Sequence, residues 1–151
     1  MKIISGPASK DLAEKISTLT GYPNVPVASK IFPDGESYVR LEGSVQGENV
    51  AIVQTTCPPM QDSKLFQLAF MVDAAKRAGA VKITAVVPYL AYARQDKMFL
   101  SGEGISVETI ARMLKAAGID EFITVNVHSE PTLKQFPFPT KTLSAIPLLA
   151  E

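Results

Sequence analysis

Three short apolar runs most constrain what this chain can fold into: NVAIVQT (49–55), KITAVVPYL (82–90) and FITVNVH (122–128). Each has strand length, and none alternates cleanly between apolar and polar residues. Such strands have to be covered on both faces, which is the situation of a parallel sheet. Between the runs lie SKLFQLAFMVDAAKRAG (63–79) and SVETIARMLKAAG (106–118), which read as helices. In the first, Leu65, Leu68, Phe70, Met71, Val72 and Ala75 form a broad apolar face, and Gly79 closes the helix. In the second, Ser106 is the expected N-cap, and Thr109 stands where Glu or Gln would complete a capping box. Two strand–helix–strand units, 49–90 and 82–128, follow. They predict an α/β fold with a parallel sheet, helices on both faces and right-handed crossovers.

The rest of the chain fits around that frame. KIIS (2–5) is a short strand leading into a helix on which Leu12, Ile16 and Leu19 fall at helical spacing, ended by Gly21. VPVASKIF (25–32) and SYVRLEG (37–43) flank the turn Pro33-Asp34-Gly35, so a small β-hairpin is expected, a flag with one exposed face. SEPTLKQFPFP reads as irregular, and TLSAIPLLAE as the start of a helix. At 151 residues and 46 % hydrophobic content, one domain with one substantial core is expected.

Charge narrows the function classes. Fifteen basic side chains balance fifteen acidic ones, which argues against a general nucleic-acid binder. A local anion site is untouched by that balance. The single cysteine, Cys57, excludes an internal disulfide and points to a reducing, cytoplasmic compartment. Cys57 and the sole histidine, His128, are linked by nothing local, so Cys–His catalysis is not the expectation. The first residues lack the apolar stretch and cleavage site of a signal peptide, and no run is long enough for a transmembrane helix.

In open α/β sheets, ligands bind beyond the carboxyl ends of the strands. The run at 82–90 ends in Arg94, Gln95, Asp96 and Lys97; the run at 122–128 brings Asn126, His128, Ser129 and Glu130; the run at 49–55 brings Gln54, Thr55 and Thr56. Arg94 offers a planar fork suited to phosphate, and Lys97 a point charge. A plain Arg–Asp surface pair is the competing account of Arg94. His128 fits a metal or phosphate contact, a general base, or a packed residue. FPDGE (32–36) lies on the hairpin, away from that edge. It is either a plain turn or the makings of an adenine site, with a ring at Phe32 and acceptors at Asp34 and Glu36. No glycine-rich nucleotide fingerprint is present.

Taken together, FPDGE (32–36), VVPYLAYARQDK (86–97), SGEGIS (101–106) and VNVHSE (125–130) carry a resemblance, with LAFMVDAAKRAGA (68–80) between them. In order and spacing they resemble ribose-phosphate pyrophosphokinase (phosphoribosyl pyrophosphate synthetase) in its archaeal-like form. The resemblance implies a phosphoribosyltransferase-like α/β fold and transfer of the β,γ-diphosphoryl group of ATP to ribose 5-phosphate, with Mg²⁺, leaving AMP. It implies ATP or ADP binding by Phe32, Asp34, Gly35, Glu36, Arg94, Gln95, Asp96 and Lys97, and a metal contact at His128. The hairpin's adenine contact often crosses a subunit boundary in the family, so a homodimer or higher homo-oligomer is expected. Asn126 stands where many members have Asp, and Gln67 where Glu is common. The family's second half, with its ribose 5-phosphate loop and catalytic lysine, has no counterpart in these residues. The expectation is therefore a single amino-terminal, ATP-side domain over 1–151, catalytically incomplete alone and with no catalytic residue of its own. Two other accounts stand beside it: a non-catalytic nucleotide- or phosphate-binding module, and an assembly subunit.

Overall fold

Strands and helices alternate in the computed structural model, which describes residues 1–149. The chain runs β1 (Lys2–Ser5), α1 (Lys10–Thr20), β2 (Asn24–Ile31), β3 (Ser37–Leu41), β4 (Asn49–Val53), α2 (Gln61–Arg77), β5 (Lys82–Val87), α3 (Ser106–Ala117), β6 (Glu121–Val125), α4 (Glu130–Leu133), β7 (Thr140–Leu143) and α5 (Ile146–Leu149). The seven strands form one sheet in the order β3-β2-β1-β4-β5-β6-β7. Every neighbouring pair is parallel except β2 and β3, the two arms of the hairpin.

The continuous apolar runs are explained by two separate cores. In β4, Val50 and Ile52 join Leu68, Met71 and Val72 of α2 and Val107 and Leu114 of α3 on one face. Ala51 and Val53 point the other way, with Ile3 of β1 and Ala13 of α1. A strand covered on both faces has no position where a polar side chain is cheap, because an unpaired buried polar group costs more than the burial returns. From β1 the chain steps one way to β2 through α1, and β4, β5 and β6 step the opposite way through α2 and α3. Reversing the step puts α1 on the face opposite α2 and α3, as crossovers of uniform hand require.

Four expectations are corrected. Leu19 of α1 is 86 % exposed, so the apolar stripe of that helix narrows to Ala13 and Ile16. The segment expected to start a helix at Thr142 is instead the strand β7, paired from Phe122–Thr140 to Val125–Leu143, and helix α5 begins only at Ile146. The stretch before it holds the short helix α4, and Phe136 and Phe138 pack on Phe122 with ring centroids 5.8 and 6.0 Å away. At α3 the N-cap position is Ile105, and Ser106 is the first helical residue. Among the described residues, no helix is long and apolar enough to cross a membrane.

Candidate functional site

The parallel register of β4, β5 and β6 sends their three following loops to one edge. Loop β4–α2 serves as framework there. Gln54 is fully buried, its Oε1 accepting from the Ala8 amide at 3.0 Å and its Nε2 donating to Gln67 Oε1 at 3.3 Å. Gln67 is itself buried, so two neutral amides satisfy each other where a carboxylate would bring an uncompensated charge. Thr56, also fully buried, donates from Oγ1 to the Tyr89 carbonyl and accepts from the Ala91 amide, both at 2.8 Å. Gln54 and Thr56 thus fasten the loops, and neither is available to a ligand.

Beyond β5 and β6 the chain encloses a cavity of about 270 Å³ whose lining includes Tyr89, Tyr92, Arg94, Asn126 and His128. Arg94 and His128, separated by more than thirty positions in sequence, therefore face one space. Two of the lining residues have left-handed backbone without being glycine, Tyr92 at φ 64° and Asn126 at φ 46°. Such conformations cost energy and cluster at functional sites. Each is held by its side chain: the Tyr92 hydroxyl donates to Asp62, and Asn126 Oδ1 accepts from the Ala145 amide at 2.7 Å. The Asp62 bond raises the Tyr92 pKa.

Asp96, from the same loop, meets the segment that follows β6. Thr132, buried in α4, donates from Oγ1 to Asp96 Oδ2 at 3.0 Å. That bond, with further help from the Ser129 hydroxyl and the charge of His128, holds the Asp96 pKa below its usual value. Gln95 meets the start of α3, where Ser106 Oγ donates to its Oε1 at 2.5 Å. Lys97 is exposed, its ammonium 5.1 Å from the centre of the Phe99 ring.

The hairpin projects on the carboxyl side of the sheet, which corrects its expected position away from that edge. β2 runs parallel to β1, pairs with it up to Ser5–Pro26, and then continues to Ile31. Five further residues of strand carry the tip roughly 16 Å past the end of β1. Gly35 at φ 92° turns the chain, and Asp34 Oδ1 accepts from the Glu36 amide at 3.1 Å. Phe32 packs edge-on against Tyr38 under the Lys30 ammonium. Gly35 and Glu36 line a groove with Asp62, Phe66 and Phe70 of α2, and that groove includes neither Arg94 nor His128. Three strand spacings, roughly 14 Å, separate β2 from β5. The fold thus brings Arg94, Asp96 and His128 together and leaves Phe32, Asp34, Gly35 and Glu36 apart from them.

No trio of His, Cys, Asp and Glu among the described residues converges to hold a metal. His128 has one carboxylate nearby, Asp96, already engaged by hydroxyls. That set does not fit a resident, protein-held ion. It fits a Mg²⁺ that arrives with phosphates and keeps most of its ligands from them and from water.

Comparison with known proteins fits this architecture. Residues 1–118 match the family model described as the N-terminal domain of ribose phosphate pyrophosphokinase. The ribose-phosphate pyrophosphokinase of Methanothermobacter thermautotrophicus is 44 % identical over 149 residues, covering 99 % of this chain and 52 % of that protein. That of Saccharolobus solfataricus is 43 % identical over 136 residues, covering 90 % of this chain and 46 % of its own length. The crystal structure of phosphoribosylpyrophosphate synthetase from Mycobacterium smegmatis superposes with a TM-score of 0.91 at 32 % identity, covering 98 % of this chain and 49 % of that one. The chain spans about half the length of the relatives it matches. It belongs to the family of N-terminal domains of ribose phosphate pyrophosphokinase.

Proposed function

We propose that this chain is the nucleotide-side half of a ribose-phosphate diphosphokinase and binds Mg²⁺-ATP or Mg²⁺-ADP at the cavity between Arg94 and His128. The observation that carries the reading is the meeting of those two side chains across one space at the carboxyl edge. The Arg94 guanidinium offers paired donors to phosphate oxygens. His128 presents a ring nitrogen to a phosphate or to the ion it carries, and Asp96, held by Thr132, supports that face. Mg²⁺, when bound with the nucleotide, neutralises phosphate charge. In the reaction the 1-hydroxyl oxygen of ribose 5-phosphate bonds to the β-phosphorus, the α–β bridge breaks, and AMP leaves with the electron pair; the hydroxyl proton is lost to solvent or base. Diphosphoryl transfer of this kind depends mostly on positioning and charge neutralisation.

The 270 Å³ space sits at the low end of ligand pockets and offers one permanent positive charge, too little for two phosphorylated substrates. The 151 residues alone are therefore proposed to bind nucleotide and to make no phosphoribosyl pyrophosphate. The separation of the hairpin from Arg94 within one chain supports an adenine contact by Phe32, Asp34 and Glu36 across a subunit boundary in a homo-oligomer. The test is an assay of AMP formation from ATP with and without ribose 5-phosphate. The expected result is no sugar-dependent AMP from the 151-residue chain; AMP formation that rises with ribose 5-phosphate would contradict the proposed incompleteness.

A further inference from the structure

We propose that Asp96 and Thr132 form a latch tying together the two loops that enclose the Arg94–His128 cavity, and that Asp96 is a positioning residue rather than a nucleotide ligand. The inference rests on the nucleotide reading above. Its basis is where the two loops are joined. At the sheet end, the Val125 amide donates to the Pro88 carbonyl at 3.3 Å. From that bond outward come the residues that line the cavity, all at positions 89–94 and 125–128. The loops meet again where Thr132 Oγ1 donates to Asp96 Oδ2 at 3.0 Å, with the Ser129 hydroxyl on the same carboxylate. Among the described residues, no hydrogen bond outside this group joins the two loops past Val125. The cavity residues therefore lie inside a closed ring of chain. The sheet closes it at one end, and the Asp96–Thr132 bond closes it at the other.

The direction of that bond is fixed. An ionised carboxylate only accepts, so Thr132 donates. The donor is anchored: Thr132 is 4 % exposed and sits in α4 beside buried Leu133. Arg94, by contrast, is an exposed loop residue, so the buried end of the ring holds the exposed one. Asp96 is not among the residues that line the cavity, and its carboxylate is engaged by the hydroxyls of α4 and of Ser129. Its effect on a ligand therefore runs through the loop that carries Arg94. A loop already held in place costs less to order when a ligand arrives, so the latch contributes to affinity without touching the nucleotide.

The experiment uses the 151-residue chain, with Mg²⁺-ADP as probe. Affinities are measured by calorimetry for the wild type, Thr132→Val, Thr132→Ser, Asp96→Asn, Asp96→Ala and the double variant Asp96→Ala with Thr132→Val. Thr132→Val keeps the shape but loses the hydroxyl, and should bind about three- to ten-fold more weakly, the value of one hydrogen bond. Thr132→Ser keeps the donor and should stay within about two-fold of wild type on the same scale. Asp96→Asn keeps an acceptor and should do the same, whereas Asp96→Ala should lose at least as much as Thr132→Val. The double variant should be no weaker than Asp96→Ala alone, because both changes remove one bond. His128 is the sole histidine, so its ring signals in an NMR spectrum need no assignment. In the ligand-free chain they should move or broaden in Thr132→Val and return to the wild-type position in Thr132→Ser. A Thr132→Val chain that binds like wild type, or leaves the His128 signals unchanged, overturns the inference. So does an Asp96→Asn chain as weak as Asp96→Ala, or a double variant whose loss is the product of the two single losses, since either result puts Asp96 on the ligand. If Thr132→Val does not fold, the contrast between Asp96→Asn and Asp96→Ala decides. A folded wild type that takes no Mg²⁺-ADP overturns the nucleotide reading and, with it, this inference; wild-type binding with an unchanged Thr132→Val overturns the inference alone.

Discussion

Gly6 shows how closely the framework behind the site is fitted. A Cβ at this position would lie 2.6 Å from the Val53 carbonyl oxygen and collide with Gln54 Oε1, the atom that accepts from the Ala8 amide. The backbone oxygen cannot move aside without breaking the pairing of β4. Gly6→Ala should therefore destabilise the chain by about 1–3 kcal/mol, the usual cost of overpacking, seen as a lower urea midpoint with an unchanged slope. A midpoint equal to wild type would show that the β1–α1 loop is free to relax. The same residues mark a limit of sequence reading. Gln54, Thr55 and Thr56 have the composition of a ligand loop, and Gln54 and Thr56 turn out to be buried and saturated. Residue type at a strand end does not say whether a side chain turns inward. Arg94 was legible because a guanidinium after a largely buried strand has nowhere to go but the edge.

Elements were legible where they carry their own pattern and obscure where a neighbour makes them. β4 and β5 stand out because burial on both faces demands continuous apolar residues, and β6 because its run is almost as apolar although only Phe122 and Thr124 are fully buried. β7, with the sequence TKTL, has no such run. It is a strand because β6 offers it an open edge and because Phe136 and Phe138 seat the preceding segment on Phe122. The hairpin was foreseen, but its direction depends on β2 pairing parallel to β1, a long-range fact absent from the local pattern. Between β5 and β6, Glu121 joins Lys82 at 2.6 Å and Thr84 at 3.2 Å. The Lys82 bond lowers the Glu121 pKa. With the folded value below the unfolded one, the contribution is present above the unfolded value, about 4.3, and disappears as pH falls through the folded value. Glu121→Gln should lower Tm slightly at pH 7, by the small amount typical of exposed pairs, and the difference should shrink steadily as pH falls through the acid range. A difference that does not shrink with falling pH would assign the loss to packing rather than charge.

At the scale of the molecule, a seven-stranded sheet gathers Arg94 and His128 around one cavity at its carboxyl edge and holds its hairpin tip some distance from it. Family membership fixes the frame, and the placement of Arg94, Asp96 and His128 is what the nucleotide proposal adds to it. Calorimetric titration of the 151-residue chain with Mg²⁺-ADP, beside Arg94→Ala, tests that proposal most directly. Charge-assisted hydrogen bonds contribute about 1.5–3 kcal/mol each, so loss of the guanidinium should weaken binding about ten- to one-hundred-fold. The account predicts saturable heat from the wild type and that loss in Arg94→Ala. No saturable heat from the folded wild type, or equal affinity in Arg94→Ala, would contradict it.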